Sequence, residues 1–362
     1  MYAFRVFLSY AHEDEELARR VAAFLKKQGL INMWDRSIDP GKPFTEEIKT
    51  RIGCSHLFMP LITRNSSKRP WVHQETGCAM GMKVPVLPIA IGRMPDEMIR
   101  ELHAARVGPR LQGLADELTE TRIEQTVLPP DHPPSPTFIK ADHAEQRAEL
   151  IAQSAAKVRH LDKTRCGGRV RQRGAFSSFC LPDAPPDDRI WHDREGPRRL
   201  WRSAYYHELQ WEERKELQLH AKASGCDLVL DPWMKLPVNG SRARRVRLET
   251  VVEFLRTMDQ ELLCVVLRRR LEAGNLLIVG DWFSAESITP RAGIGYQQTL
   301  FTWHAPSVLY QVRQFKDMFA RLGQDRRETA NSSLAAAIAR IEKIIRSIPT
   351  EAKRQGKRGR RQ

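Results

Sequence analysis

The chain has 362 residues, a hydrophobic fraction of 41% and a net charge of +15 at pH 7. This length exceeds that of one ordinary domain, so we expect two domains and a linker. No run of about 18 apolar residues occurs, and the N-terminus lacks the basic and apolar regions of a secretory signal, so we expect a cytoplasmic protein without membrane contact.

The cysteines are too widely scattered to form a metal site or a disulfide framework. None lies in a C-x-x-C pair, which predicts reduced thiols and no bound metal. The six positions are Cys54, Cys78, Cys166, Cys180, Cys226 and Cys264.

Strand and helix patterns alternate over the first quarter of the chain. The helix pattern at 13–29 is the clearest, because Leu17, Val21 and Leu25 fall on one face. Four strands are predicted, at 4–9, 30–34, 56–63 and 83–92, with further helices at about 46–53 and 71–83. This alternation predicts a parallel sheet covered on both faces.

The pattern weakens after Gly92, and a proline-rich break at 129–136 suggests a domain boundary. We therefore predict a first domain at 1–128 and a linker with a helical connector at 129–188. A second α/β or α+β domain follows at 189–322, and a helix with a basic tail occupies 323–362.

Basic residues are concentrated in three runs, at 165–174, 241–247 and 353–361. Such runs attract polyanions, so nucleic acid is a possible partner. The alternative is a solvated surface or an uncovered tail.

Polar and aromatic residues follow the predicted strands at the points where the strands end. In an open parallel sheet, ligands bind beyond these carboxyl ends. Ser9 and Tyr10 follow the first strand, Trp34 and Asp35 the second, and the helix after the third carries Trp71 and Glu75. Aromatic rings beside carboxylates suit a flat, cationic or nucleotide-like ligand.

The same residues lie in segments that resemble a Toll/interleukin receptor (TIR) domain. The segments are FLSYAHEDEELA, MWDRSIDPGKPFTEEIKTRIGCSHLFMPLIT and SSKRPWVHQETGCAM, which occur in the family's order over residues 1–92. The resemblance implies a flavodoxin-like doubly wound sheet. It is to the NAD-cleaving TIR domains of bacterial proteins, and it implies that Glu75 is catalytic.

The resemblance predicts an NAD glycohydrolase that forms nicotinamide and either ADP-ribose or a cyclic isomer. NAD is then the substrate and no cofactor is needed, and the sequence contains neither a G-x-G-x-x-G nor a P-loop motif. The predicted NAD contacts are Ser9, Tyr10, Trp34, Asp35 and Trp71. Each also has an ordinary structural explanation as a packing or capping residue.

TIR domains typically contact one another through the loop after the second strand. The resemblance implies that Asp39, Pro40 and Gly41 belong to this loop in the present chain. We therefore expect a homo-oligomer whose activity in antiphage defence signalling depends on self-association. The loop is otherwise an ordinary tight turn. The alternative function is a non-enzymatic adaptor that acts through TIR–TIR contacts.

The second domain has a weaker resemblance, to the closing part of phospholipase-D-like domains, at NLLIVGDWFSAESI and the segment after it. Since the catalytic His-x-Lys motif of that family is absent, we expect a non-catalytic sensor of an unidentified trigger ligand. Trp282, His304 and residues 296–302 are candidates for lining a ligand pocket, and core packing is the alternative.

Overall fold

The structure, a computed structural model, divides the chain into two compact units. One comprises Met1–Thr137 with Thr302–Tyr310, and the other Phe138–Phe301 with Gln311–Gln362. The residues it describes are 2–33, 46–66, 69–92, 102–131, 133–134, 138–162, 167–174, 178–180, 204–233, 240–269, 271, 274–288, 298–324 and 334–349.

The first unit is a parallel sheet with helices between its strands. The elements are β1 (Arg5–Ser9), α1 (Glu15–Lys27), β2 (Ile31–Asn32), α2 (Glu46–Gly53), β3 (Leu57–Ile62), α3 (Pro70–Gly81), β4 (Ile89–Ile91), β5 (Ala105–Val107), α4 (Leu114–Glu117) and α5 (Glu120–Val127). The strand order is β2-β1-β3-β4-β5, and all neighbours are parallel. This is the flavodoxin-like order, which confirms the predicted fold class.

The central strands β1 and β3 are buried along their whole length, which explains the apolar runs at 6–8 and 57–62. The fifth strand was not predicted, because β5 is only three residues long and its middle residue, Arg106, is exposed. The core of this unit also includes Leu309, which is 1% exposed and lies in the segment Thr302–Tyr310.

The second unit contains a mixed sheet. Its elements are β6 (Ile139–Ala141), α6 (Ala144–Leu161), β7 (Val170–Gly174), α7 (Ala204–Ser224), β8 (Cys226–Leu230), α8 (Gly240–Arg256), β9 (Leu263–Leu267), β10 (Leu276–Val279), β11 (Phe283–Ile288), β12 (Gln298–Thr302), α9 (Ala305–Gln324) and α10 (Leu334–Ser347). The last residue of β12 and the beginning of α9, as far as Tyr310, belong to the first unit. The order is β6-β12-β11-β10-β7-β8-β9. Strands β7, β8 and β9 are parallel, and β10 is antiparallel to β7.

The segment predicted as a linker, 129–188, contributes to this unit through β6, α6 and β7. Within the basic run at 165–174, Arg169 and Arg171 are paired with a carboxylate of the neighbouring strand. Asp227 of β8 lies 2.7 Å from Arg169 and 3.7 Å from Arg171. These two arginines therefore have a structural partner within the sheet.

The segment NLLIVGDWFSAESI forms a hairpin of β10 and β11. The chain turns at Gly280, which has a positive φ of 57°. A Cβ atom there would lie 1.6 Å from the carbonyl oxygen of Gly167, so only glycine fits this close approach.

The basic run at 241–247 lies within α8, so its backbone is helical. The tail at 353–361 lies outside the described residues. Among the described helices, none combines the length and apolar character needed to cross a membrane.

Candidate functional site

Ser9 and Glu75 meet at the carboxyl edge of the parallel sheet in the first unit. Ser9 is the last residue of β1, and Glu75 lies on α3, which follows the neighbouring strand β3. The Ser9 hydroxyl donates a hydrogen bond to Glu75 Oε2. Both residues are buried, with 2% and 9% of their surfaces exposed. Residues 66 positions apart in sequence therefore form one polar pair.

The Glu75 carboxyl group has an unusual acidity. Burial raises its pKa to about 7, and the hydrogen bond from Ser9 opposes the rise. Near neutral pH the protonated and ionised forms are therefore both populated. Perturbed carboxyl groups of this kind are concentrated at functional sites.

Trp71 lies one helical turn before Glu75, so the two side chains share a face of α3. Trp71 is half-buried. Its indole Nε1 is fully buried and has no hydrogen-bond acceptor among the residues that the structure describes. A buried donor without an acceptor costs about 1–3 kcal/mol, which a ligand oxygen would recover.

A second polar network in this unit connects the start of α1 with the loop after β3. The Thr63 hydroxyl donates to Asp14 Oδ2 at 2.5 Å, and the Asn65 amide donates to Asp14 Oδ1 at 2.8 Å. Ser66 Oγ accepts from the Thr63 backbone N–H at 2.8 Å. The prediction missed the network, whose signal in the sequence is the polar stretch RNSSKRP next to an apolar strand.

Tyr10 is half-buried and packs against the hydrophobic core of the unit. The remaining predicted site residues lie outside the described part of the chain, namely Trp34, Asp35, Asp39, Pro40 and Gly41. Within the described residues, no group of three His, Cys, Asp or Glu side chains is arranged to hold a metal ion. The cysteines described, Cys54, Cys78, Cys180, Cys226 and Cys264, are free thiols.

The predicted pocket residues of the second domain do not form a common site within one unit. Trp282 is 4% exposed and belongs to the second unit, whereas His304 is 4% exposed and belongs to the first. The His304 ring nitrogens contact Ser307 Oγ at 2.7 Å and the Lys83 carbonyl oxygen at 2.8 Å. Both ring nitrogens are engaged, so His304 is a packing residue, which was the alternative interpretation.

The sequence was also compared with models of known protein families. Residues 6–119 match the sequence model described as the TIR domain. This part of the chain is a TIR domain. The match covers β1 to α4 and contains both Ser9 and Glu75. TIR domains act in signalling, and they include enzymes that cleave NAD as well as adaptors.

No curated protein matches the chain, and the following two solved structures are distantly similar to it. One similar structure is the archaeal chromatin protein TrmBL2, at 6% identity and a TM-score of 0.30, covering 51% of this chain and 53% of that one. Another is a metazoan TIR-STING receptor from C. gigas in complex with 2′,3′-cGAMP, at 15% identity and a TM-score of 0.29. It covers 50% of this chain and 58% of the receptor. The chain thus spans little more than half of each structure.

Proposed function

We propose that the TIR domain cleaves the bond between nicotinamide and ribose in NAD, with Glu75 as the catalytic carboxylate. The observation that supports this most directly is the burial of Glu75 at the carboxyl edge of the parallel sheet, where Ser9 holds one of its oxygens. Burying an ionisable group without an opposite charge is costly. A functional role explains why the chain bears that cost.

One carboxylate is sufficient for this reaction. When the bond between C1′ and the ring nitrogen breaks, its electron pair moves to the nitrogen and neutral nicotinamide leaves without an acid. The ribose then carries the positive charge of an oxocarbenium-like ion, which an ionised Glu75 stabilises. Water adds to C1′ and loses a proton, giving ADP-ribose. If an adenine nitrogen adds instead, the product is a cyclic isomer.

The other side chains of the site have binding roles in this proposal. Ser9 orients the Glu75 carboxyl group through its hydrogen bond. Trp71 has a buried N–H without an acceptor in the described structure, and the hydroxyl, amide or phosphate oxygens of NAD would satisfy it. Its ring also suits the cationic nicotinamide. Tyr10, Trp34 and Asp35 are proposed as further NAD contacts.

The alternative function, a non-enzymatic adaptor, requires only surfaces for TIR–TIR contacts. Such a protein gains nothing from burying a carboxyl group whose ionisation opposes folding, so the pKa of Glu75 favours the enzyme. We propose that self-association through Asp39, Pro40 and Gly41 supports activity in antiphage defence signalling. The second unit would then bind the trigger ligand that controls this activity.

The test measures nicotinamide release from NAD by the purified full-length protein over a range of protein concentrations. We expect release by the wild type, with a specific rate that rises with concentration. Glu75→Gln should lower the rate by on the order of 10²–10³-fold, since it removes the stabilising charge. Glu16→Gln is the matched control, because Glu16 is exposed on α1.

Two results would contradict the proposal. Equal rates for the wild type and Glu75→Gln would remove Glu75 from the reaction. No release at concentrations where sedimentation shows the protein to be self-associated would favour the adaptor.

A further inference from the structure

The second unit contains an arginine cluster at the carboxyl edge of its parallel strands. Strands β8 and β9 run side by side in register, with Leu230 opposite Leu267. The residues that follow them, Asp231–Trp233 and Arg268–Arg269, therefore emerge at the same edge. This edge is where α/β sheets bind ligands.

Trp233 lies at the centre of this cluster. The guanidinium carbon of Arg269 is 4.8 Å from the centroid of the Trp233 ring, and that of Arg340, on α10, is 5.1 Å away. The backbone N–H of Trp233 donates to Asp231 Oδ1 at 3.0 Å, which fixes the turn that carries the ring. The indole thus holds two guanidinium groups within about 10 Å of each other.

A third guanidinium group comes from α8. Arg244 Nε donates to the carbonyl oxygen of Pro232, the residue before Trp233, at 3.0 Å. Burial lowers the pKa of Arg244, and the negative charge of Asp231 opposes this shift only in part. The charged guanidinium group of Arg244 is therefore destabilised by the partial loss of its hydration.

Among the described residues, the acidic side chains of α8 and α10 are paired with arginines outside the cluster, including Glu253 with Arg214. Glu249 of α8 lies 3.9 Å from Arg245, and Glu342 of α10 pairs with Arg256 at 2.5 Å. In the part of the chain that the structure describes, neither Arg269 nor Arg340 has a carboxylate at ion-pair distance. Arg244, Arg269 and Arg340 thus outnumber the buried Asp231 by two positive charges.

We infer that this arginine cluster, Arg244, Arg269 and Arg340 around Trp233, binds a small ligand that carries two phosphate groups. The planar fork of arginine pairs with phosphate oxygens through two parallel hydrogen bonds, and two such forks match two phosphates. A nucleic-acid surface instead needs cations along the path of a strand. Arg269 and Arg340 gather around one indole ring and Arg244 bonds the residue before it, a compact arrangement that favours the small ligand.

The experiment measures binding of inorganic pyrophosphate to the full-length protein by titration calorimetry at constant ionic strength. Wild-type protein should bind pyrophosphate, and should bind sulfate at least tenfold more weakly. Arg269→Gln and Arg340→Gln should each weaken pyrophosphate binding by at least about tenfold, since each removes a charged hydrogen-bond donor. Arg256→Gln, with the same charge change at an arginine paired to Glu342, should bind as the wild type does.

Arg269 is exposed, so Arg269→Gln should fold and carries the test even if Arg340→Gln does not. Arg269→Lys keeps the charge but loses the fork, and should bind with intermediate affinity. The inference is overturned if the wild type does not bind pyrophosphate, if sulfate binds equally well, or if Arg269→Gln binds like the wild type. Tighter binding of a 20-nucleotide single strand, lost in Arg269→Gln, would assign the cluster to nucleic acid instead. Because the readout is binding, none of these results depends on NAD cleavage.

Discussion

At the scale of single residues, the two protonation states of Glu75 favour different properties of the protein. The ionised form stabilises positive charge on a ribose, whereas the neutral form is easier to bury. With a pKa of about 7, the carboxyl group changes between these forms within the physiological range. Stability and the proposed activity should therefore depend on pH in opposite directions.

The first prediction concerns the proposed activity. If ionised Glu75 is required, kcat/KM for NAD should rise about tenfold per pH unit below about 7 and level off above it. In the complex the cationic nicotinamide ring favours the carboxylate, so the inflection in kcat should lie at a lower pH. Initial rates of nicotinamide release between pH 5 and 9 measure both profiles. A flat kcat/KM profile through pH 7 would contradict the assignment.

The second prediction concerns folding. The pKa of Glu75 is higher in the folded chain than its ordinary 4.5, so its stabilising contribution is complete below pH 4.5 and is lost as pH rises through about 7. The loss is on the order of 3 kcal/mol. Glu75→Gln cannot ionise at this position and should not show this loss. Its stability relative to the wild type should therefore increase from pH 5 to pH 8.

Chemical unfolding at pH 5 and pH 8 checks this second prediction. Glu16→Gln serves as the control at an exposed position, and its stability should follow the wild type at both pH values. A stability difference between Glu75→Gln and the wild type that does not change with pH would show that Glu75 has an ordinary pKa.

At the scale of elements, the beginning of α9 is part of the hydrophobic core of the first unit, which contains the TIR domain. Leu309 is 1% exposed and lies in the same cluster as residues of the central strands, such as Val6 and Met59. Just before it, His304 contacts the carbonyl oxygen of Lys83, two residues after the end of α3, the helix that carries Glu75. A segment distant in sequence therefore supports the end of that helix.

The third prediction tests this contribution. Leu309→Ala in the full-length chain should destabilise the TIR domain by about 2–5 kcal/mol, because it opens a cavity in a packed core. Tyr310→Ala is the neighbouring control, since Tyr310 is 37% exposed and should cost much less. Unfolding in urea, followed by a probe in the TIR domain, compares the two. Equal effects would mean that Leu309 has no core role.

At the scale of the whole molecule, the first unit is discontinuous in sequence. The chain leaves it after Thr137 and returns for Thr302–Tyr310. The TIR family model ends at residue 119, so it does not include the returning segment. A fragment cut by the sequence boundary at 128 would lack part of its own core.

The fourth prediction follows from this division. A fragment of residues 1–137 should be less stable than the same domain in the full chain, because the surface covered by Leu309 becomes exposed. Thermal unfolding and binding of a hydrophobic dye measure the effect, and addition of a peptide of residues 302–310 should partly reverse it. A fragment as stable as the intact chain would contradict the role of the segment.

The sequence by itself determined four of the five strands of the parallel sheet, the helices α1 to α3 between them, and the place of Glu75 on α3. Strong apolar periods in α1, β1 and β3 are local signals, and the motifs around Ser9 and Glu75 occur in the family's order. Because ligands bind beyond the carboxyl ends of parallel strands, the sequence also predicted that the site residues lie at one edge of the sheet.

Only the tertiary structure decided the rest, because burial and pairing depend on distant parts of the chain. In the sequence Arg171 belongs to a basic run typical of a surface, whereas in the structure it pairs with Asp227 of the neighbouring strand. Leu309 belongs to a TIR core that ends, by sequence, more than 170 residues earlier. The pKa of Glu75 likewise comes from the loss of water around one carboxyl group, which no local pattern encodes.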